Sequence, residues 1–200
     1  MGIERDEMKN RVILFAIFVV GFLLISLPTY AFDSELLPGE GGLTIRATAD
    51  SLVLYVKPFK TSPVVKEYKT KKKNVIDFDL SRYRNIKPGK VKVQKDVKIE
   101  GRSFGNIKYL SHKNYYSDKI PTKIILFNKG ETIDYLQDRS EGSCIISRKG
   151  QIIELDYCPW FDSENKDFIN ISSPVNEAWI RVIQNKKPVG WLLLDKSIIE

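Results

Sequence analysis

The chain has 200 residues, which is enough for one ordinary domain or two small ones. Its 42% hydrophobic and 28% charged content is normal for a globular protein and excludes a non-globular chain. A net charge of +7, carried mostly by lysine, favours acidic polymers and anionic surfaces as partners.

An almost unbroken apolar segment, Val12–Leu27, is the first element along the chain. Basic residues precede this segment, and none follows it until Arg46. Because the positively charged flank of a membrane segment stays in the cytoplasm, the N-terminus is predicted to remain there while the rest of the chain crosses the membrane. The anions available beyond the membrane are lipid head groups and acidic wall polymers, so nucleic acid is not expected as a partner.

Residues 1–31 are predicted to be a signal peptide. Pro28 ends the helical run, and Thr29-Tyr30-Ala31 is a passable cleavage site. The alternative is an uncleaved signal anchor, in which residues 12–32 stay in the inner membrane. The apolar segment would span roughly 24 Å as a helix, short of a hydrocarbon core about 30 Å thick, and cleavage is therefore favoured. The protein is expected in the periplasm or outside the cell.

Short strand-like segments follow a linker predicted for residues 32–43, whose glycines and Pro38 are not compatible with a regular element. These segments alternate apolar and polar residues or are rich in β-branched residues, and turn residues separate them. In chain order they are residues 43–47, 51–56, 90–99, 123–127, 132–136, 144–147, 151–155, 178–183 and 190–194. Their spacing predicts an all-β protein made of small β-barrels, without a long amphipathic helix.

Two turns are specific enough to predict. Lys149-Gly150 lies between residues 144–148 and 151–155, so these two segments are predicted to form a hairpin in which the glycine has a positive φ. Pro88-Gly89 precedes the strand that alternates lysine and valine, and it is predicted to form a type II turn.

Cys144 and Cys158 are the only cysteines, and outside the cytoplasm such a pair most simply forms a disulfide. In the predicted hairpin Cys144 lies opposite Leu155, so the bridge requires the chain to turn back at Asp156-Tyr157. The alternative is two separately buried thiols.

Patterns typical of catalysis or metal binding are weak. The only histidine, His112, lies in a lysine-flanked turn, and thiol catalysis, a serine triad or a zinc site would each depend on it. No enzyme activity, catalytic residue, metal ligand or cofactor is therefore predicted. Carboxylates after Leu155 leave an envelope hydrolase as a third hypothesis, with Asp162, Glu164 and Asp167 as its candidate residues.

Aromatic and lysine side chains are the candidates for a binding surface. The aromatic candidates are Tyr83, Tyr109, Tyr115, Tyr116, Trp160 and Phe161. A lysine run adds Lys71, Lys72 and Lys73, which either a solvated loop or a contact with an anionic surface would explain. Trp179 and Trp191 lie inside strand patterns and are predicted to be core residues.

The end of the chain resembles the end of a bacterial SH3-like domain. Such a domain closes with a tryptophan-led strand, a short turn and a Gly-Trp strand, as in Glu177–Val182 and Gly190–Asp195. Gly130–Leu136 is similar to the earlier Gly-Glu-x-Val strand of that family. A fainter copy is formed by Ala49–Tyr55 and Gly105–Ser111.

This resemblance implies two divergent SH3-like β-barrels, over residues 44–112 and 113–200, with insertions around residues 69–95 and 156–176. It also implies binding of peptidoglycan or of protein peptides, although a fold does not fix a function. The sequence thus predicts an exported, non-enzymatic binding module of the bacterial cell envelope, whose partner is the cell wall or an envelope protein. The alternative is a structural or assembly partner that contacts the membrane through its N-terminal segment.

Overall fold

The computed structural model describes residues 32–35, 44–139 and 142–195. The protein is almost entirely β, which confirms the predicted all-β class. The predicted signal segment, residues 1–31, lies outside the described residues, as does most of the predicted linker. Within the described ranges, no helix is both long enough and apolar enough to span a bilayer.

Fourteen strands and one short helix make up the described fold. The strands are β1 (Phe32–Ser34), β2 (Ser51–Tyr55), β3 (Val64–Lys69), β4 (Phe78–Lys87), β5 (Gly89–Val93), β6 (Val97–Gly105), β7 (Tyr109–Leu110), β8 (Lys123–Phe127), β9 (Thr132–Asp138), β10 (Cys144–Arg148), β11 (Gln151–Leu155), β12 (Phe168–Ser172), β13 (Val175–Gln184) and β14 (Lys187–Leu194). The helix α1 is His112–Tyr115, and a single 3-10 turn covers Pro159–Phe161.

The strands form two seven-stranded sheets. The first has the order β3-β2-β14-β13-β4-β1-β7 and the second the order β12-β5-β9-β10-β11-β6-β8. Neither sheet closes into a barrel within the part of the chain that the structure describes. The boundary predicted at residues 112 and 113 does not separate the sheets, because β5 and β6 lie in the second sheet while β13 and β14 lie in the first.

One antiparallel ribbon runs through both sheets. Its first strand is β4 continued by β5, and its second is β12 continued by β13. Within the second sheet β5 pairs with β12, from Val93 opposite Phe168 to Lys90 opposite Ser172. Within the first sheet β4 pairs with β13. We call this pair of strands the ribbon; it joins the two sheets through continuous backbone rather than through a flexible linker.

Gly89 lies where the ribbon passes from one sheet to the other. A Cβ atom at this position would be 2.4 Å from the carbonyl oxygen of Ser172 and 2.7 Å from the nitrogen of Pro174. The backbone between β12 and β13 therefore occupies the space that a side chain would need. The predicted type II turn at Pro88-Gly89 is wrong, because Gly89 begins β5 and does not adopt the positive φ that such a turn requires.

Three apolar clusters stabilise the fold. The first sheet packs around Ile45, Ala47, Leu52, Leu54, Ile76, Ile180, Val182, Leu192 and Leu194. The second sheet curls around a cluster that includes both cysteines and Trp160, and its edge strands meet where the rings of Phe127 and Phe168 have centroids 5.9 Å apart. A third cluster, which joins the sheets, contains Phe32, Leu110, Leu136, Ile145 and Ile152.

The predicted hairpin is confirmed. Strand β10 pairs with β11 so that Arg148 is opposite Gln151. Lys149 and Gly150 have φ angles of 52° and 76°, and two consecutive positive φ values are typical of a two-residue turn that matches the twist of its strands.

The predicted disulfide is also present, between Cys144 and Cys158, with their Cα atoms 6.0 Å apart. Cys144 lies opposite Leu155, as the hairpin register predicted. The chain bends at Asp156-Tyr157, and the Cys158 amide then donates to the carbonyl oxygen of Gly142 at 3.0 Å. Both sulfur atoms lie inside the core of the second sheet, so the bridge fastens the 3-10 turn to that core.

Several predicted elements differ from the structure. The linker predicted for residues 32–43 begins with β1, because Phe32 is buried and its neighbours pair with β4. Residues 90–99 form two strands that separate at residues 94–96. Residues 43–47 supply an isolated bridge from Arg46 to Val75. The two expected insertions, residues 69–95 and 156–176, contain all of β4, β5 and β12, which are three of the four strands of the ribbon.

We expect Gly89→Ala to lower the free energy of unfolding by about 3 kcal/mol, because the new methyl group would overlap backbone that cannot move without separating the sheets. Urea unfolding of the full chain, followed by tryptophan fluorescence, measures this loss. Gly150→Ala is the control, since its Cβ would meet open space and only the positive φ would cost about 1 kcal/mol. Equal losses in the two variants would contradict the crossing role of Gly89.

Candidate functional site

A row of four directly opposed residues crosses the outer face of the first sheet. Glu177, Arg84, Asp33 and Tyr109 occupy equivalent positions on β13, β4, β1 and β7. The Arg84 Nε atom donates to the Asp33 carboxylate at 3.2 Å, and its Nη1 atom lies 3.9 Å from the Glu177 carboxylate. The Arg84 guanidinium also lies 4.0 Å from the ring centroid of Phe59 and is nearly buried. The row therefore holds the short strand β1 against β4.

Arg82 extends this network towards β7. Its Nη1 atom lies 3.8 Å from the Asp33 carboxylate, and its guanidinium carbon lies 4.2 Å from the ring centroid of Tyr109. Burial raises the pKa of Asp33, and the guanidinium groups of Arg84 and Arg82 oppose that shift. Arg82 thus contacts both the Asp33 carboxylate and the ring of Tyr109, which lies on the edge strand β7.

Glu35 follows β1 directly and joins β7 to α1. Its carboxylate accepts hydrogen bonds from the Tyr109 hydroxyl and from the backbone amide of His112, and its own amide donates to the Leu110 carbonyl oxygen at 3.1 Å. Burial, together with the hydrogen bond to Glu35, raises the pKa of Tyr109 to about 12. The Tyr109 hydroxyl therefore acts as a fixed donor at physiological pH rather than as a proton-transfer group.

A shallow depression lies beside Glu35, and we call it the tyrosine depression. Its lining residues are Ser34, Glu35, Leu110, Ser111, His112, Tyr115 and Arg139. Ser111 begins α1 as its N-cap, since the serine Oγ atom accepts from the amide of Asn114 at 3.2 Å. The cap fixes the direction of the short helix and therefore the position of Tyr115.

Tyr115 is the most constrained side chain of the tyrosine depression. Its hydroxyl donates to Glu154 at 2.6 Å, and Glu154 is only 2% exposed and ion-paired with Arg102. The guanidinium carbons of Arg102 and Arg139 each lie 4.7 Å from the ring centroid of Tyr115. Burial raises the pKa of Tyr115, and its hydrogen bond to Glu154 adds to this shift. The ring is therefore fixed by contacts with residues of the second sheet before any ligand arrives.

Tyr116 is not a lining residue of the tyrosine depression, but its ring contacts two residues that are, and it is 58% exposed. Its ring centroid is 4.5 Å from that of His112 and 5.0 Å from that of Tyr115. The structure thus brings three of the predicted aromatic residues, Tyr109, Tyr115 and Tyr116, to one region of the surface.

The other candidates lie elsewhere in the fold. Tyr83 is half-buried on β4, opposite Ser34, and burial raises its pKa. Trp160 lies in the core of the second sheet, and Phe161 is an exposed neighbour whose ring centroid is 5.9 Å from that of Tyr135. Lys71, Lys72 and Lys73 are exposed in the loop between β3 and β4. None of these residues lines the tyrosine depression.

The carboxylates of the hydrolase hypothesis lie in the loop after the 3-10 turn. Asp162 accepts a hydrogen bond from the amide of Glu164 at 2.9 Å, and Asp167 forms an ion pair with Lys95 at 2.7 Å. Among the described residues, no group of three or more histidine, cysteine, aspartate or glutamate side chains is arranged to hold a metal ion.

Sequence reasoning missed the charged residues of the site: Asp33, Glu35, Arg82, Arg84 and Arg139. Two of them follow the predicted signal segment and were assigned to the linker. Arg82 and Arg84 lie two residues apart on β4. This spacing places both arginines on the same side of a strand, and it could have indicated that residues 78–87 form a strand with charged side chains on one side. Trp179 is buried, as predicted, but its indole nitrogen donates to Glu177 at 3.1 Å on the outer face.

Comparisons with protein-family models, curated proteins and solved structures yield no match to this chain. The SH3-like resemblance therefore stays a prediction, and the function has to be argued from the residues of the site.

We expect Glu35→Gln to lower the pKa of Tyr109 from about 12 towards its ordinary value, because the variant removes a charge and weakens the acceptor of the tyrosine hydroxyl. Tyrosine-selective NMR titration of the full chain measures this shift, with Glu67→Gln on the exposed strand β3 as the control. A folded-state pKa above the unfolded value means that Tyr109 stabilises the fold below pH 10 and that this contribution is lost as the pH rises towards 12. An unchanged pKa in Glu35→Gln would contradict the assigned hydrogen bond.

Proposed function

We propose that this chain is an exported binding protein of the bacterial cell envelope and that it binds peptidoglycan at the tyrosine depression. The observation that carries the proposal is that Tyr115 and Arg139 line one depression at the edge of the first sheet and that the ring of Tyr116 contacts the ring of Tyr115. These residues combine aromatic faces with a cation, which is the combination that a polymer of sugars and acidic peptides requires.

Each group has a distinct part in such binding. The exposed ring of Tyr116 offers an apolar face to the C–H groups of a sugar or to a peptide side chain. Arg139 makes no ion pair with the described carboxylates, and its planar guanidinium suits the carboxylates of wall peptides. Tyr115 and Glu35 are already held by protein contacts, so little side-chain entropy is lost when a ligand is bound.

Two further observations support an envelope location. The disulfide between Cys144 and Cys158 is typical of an oxidising compartment. The net charge of +7 would attract the chain to acidic wall polymers and anionic lipids.

We expect Tyr116→Ala to weaken binding of the full chain to insoluble peptidoglycan about fivefold, a loss of roughly 1 kcal/mol, because the exposed ring would contact the polymer. Co-sedimentation in mild detergent measures the bound fraction. Tyr157→Ala is the matched control, since Tyr157 is 47% exposed against 58% for Tyr116 and lies after β11, outside the depression. Failure of the unaltered chain to sediment with peptidoglycan, or equal losses in the two variants, would overturn the proposal.

A second candidate function is assembly with another envelope protein through strand β3. This strand is an edge of the first sheet, and its Val64 and Val65 are exposed beside Val53 of β2. An edge strand with exposed valines is a template for an added strand, because its outer backbone groups are unpaired within the sheet.

We expect Val64→Lys to abolish crosslinking of the full chain to a specific envelope protein, because a charge on the edge strand disfavours strand addition. Chemical crosslinking in intact cells followed by mass spectrometry measures this loss. Val75→Lys serves as the control, because Val75 is similarly exposed but lies outside the named strands. A partner captured equally by both variants would contradict the use of β3.

A further inference from the structure

The ribbon carries exposed aliphatic side chains around the crossing between the sheets. Ile169 and Ile171 on β12 and Val175 at the start of β13 are all exposed. Exposed lysines accompany them on the paired strands β4 and β5: Lys87, Lys90 and Lys92. We call these six residues the crossing face. Large exposed aliphatic side chains grouped in this way are unusual for a protein surface in contact only with water.

The strand register places apolar and basic side chains side by side. Ile169 is opposite Lys92, and Val175 is opposite Lys87. Strand β12, whose sequence is Phe-Ile-Asn-Ile-Ser, contains no charged residue and lies at the edge of the second sheet. The strand therefore lacks the usual protection of an edge by its own charges, and the lysines of the adjacent strand lie beside it instead.

The crossing face has a surplus of positive charge. Lys90 pairs with Asp134, whereas Lys87 and Lys92 make no ion pair with the described carboxylates. Three lysines against one aspartate leave two positive charges beside three aliphatic side chains. This combination matches the surface of a bilayer that contains anionic lipid, where aliphatic groups enter the interface and lysines contact phosphates.

The start of β1 lies beside the crossing face. Phe32, the first residue of β1, is opposite Asn85, which is two residues from Lys87. Asn85 is also opposite Asn176, which is adjacent to Val175.

We propose that the crossing face rests on the surface of a bilayer that contains anionic phospholipid. Ile169, Ile171 and Val175 contact the acyl boundary, and Lys87 and Lys92 contact the lipid phosphates. The contact orients the two sheets on the membrane and leaves the tyrosine depression, at the other end of β1, available to a separate ligand. The proposal does not depend on peptidoglycan binding.

The test uses the full chain in vesicles of phosphatidylcholine with brominated phosphatidylglycerol, whose bromine atoms quench nearby tryptophan fluorescence. Ile171→Trp places a tryptophan on the crossing face. Val64→Trp is the matched control, because Val64 is 56% exposed and Ile171 is 57% exposed, but Val64 lies at the edge of the first sheet. We expect the quenched fraction to be at least about twofold larger for Ile171→Trp than for Val64→Trp. Equal quenching at the two positions would overturn the proposal.

Charge reversal tests the lipid phosphates as partners. We expect Lys87→Glu combined with Lys92→Glu to remove the excess quenching of Ile171→Trp, while Lys186→Glu combined with Lys187→Glu, exposed at the turn between β13 and β14, leaves it unchanged. Excess quenching that persists after reversal at residues 87 and 92, or that is as strong when neutral brominated phosphatidylcholine replaces the anionic lipid, would overturn the anionic contact. Absence of excess quenching together with crosslinked dimers that Ile171→Asp abolishes would assign the crossing face to a second copy of this chain instead.

Discussion

The close approach of backbone at Gly89 is the constraint on which the architecture depends. Because position 89 has no side chain, the segment between β12 and β13 can lie against it, with the Ser172 carbonyl oxygen in the space of a Cβ atom. The ribbon can then continue from the second sheet into the first without losing its pairing. Each sheet consequently contains strands from both halves of the chain, and neither half has a complete sheet of its own.

Strand β1 connects the two surfaces that we consider functional. Its three residues and the following Glu35 are held in four different ways: Phe32 is buried between the sheets, Asp33 pairs with arginines, Ser34 donates to Gln137 at 2.6 Å, and Glu35 accepts from Tyr109. The beginning of β1 is adjacent to the crossing face, and its end contributes to the tyrosine depression. A segment of only three strand residues is thus fixed strongly enough to position both surfaces, because most of its polar contacts are ion pairs or hydrogen bonds shielded from water.

Local sequence patterns predicted elements whose partners are near in the chain. The hairpin at Lys149-Gly150 follows from turn residues and alternation alone, and its register placed Cys144 opposite Leu155 correctly. Strand β4 was missed because Arg82 and Arg84 occupy its outward positions. In the sequence these arginines are typical of a solvated loop, whereas in the structure they pair with Asp33 on the neighbouring strand. Strand β12 was missed for a related reason, since its two isoleucines point outward and it lies in a segment rich in polar residues.

The sequence by itself determined the all-β class, the hairpin and the disulfide, because each of these follows from composition or from spacing within a few residues. Only the tertiary structure decided which aromatic residues meet. It brings Tyr115 together with Glu35 and Arg139, which lie 80 and 24 residues from Tyr115 along the chain. No periodicity encodes such pairings, since they depend on where the ribbon crosses and on how the two sheets pack against β1.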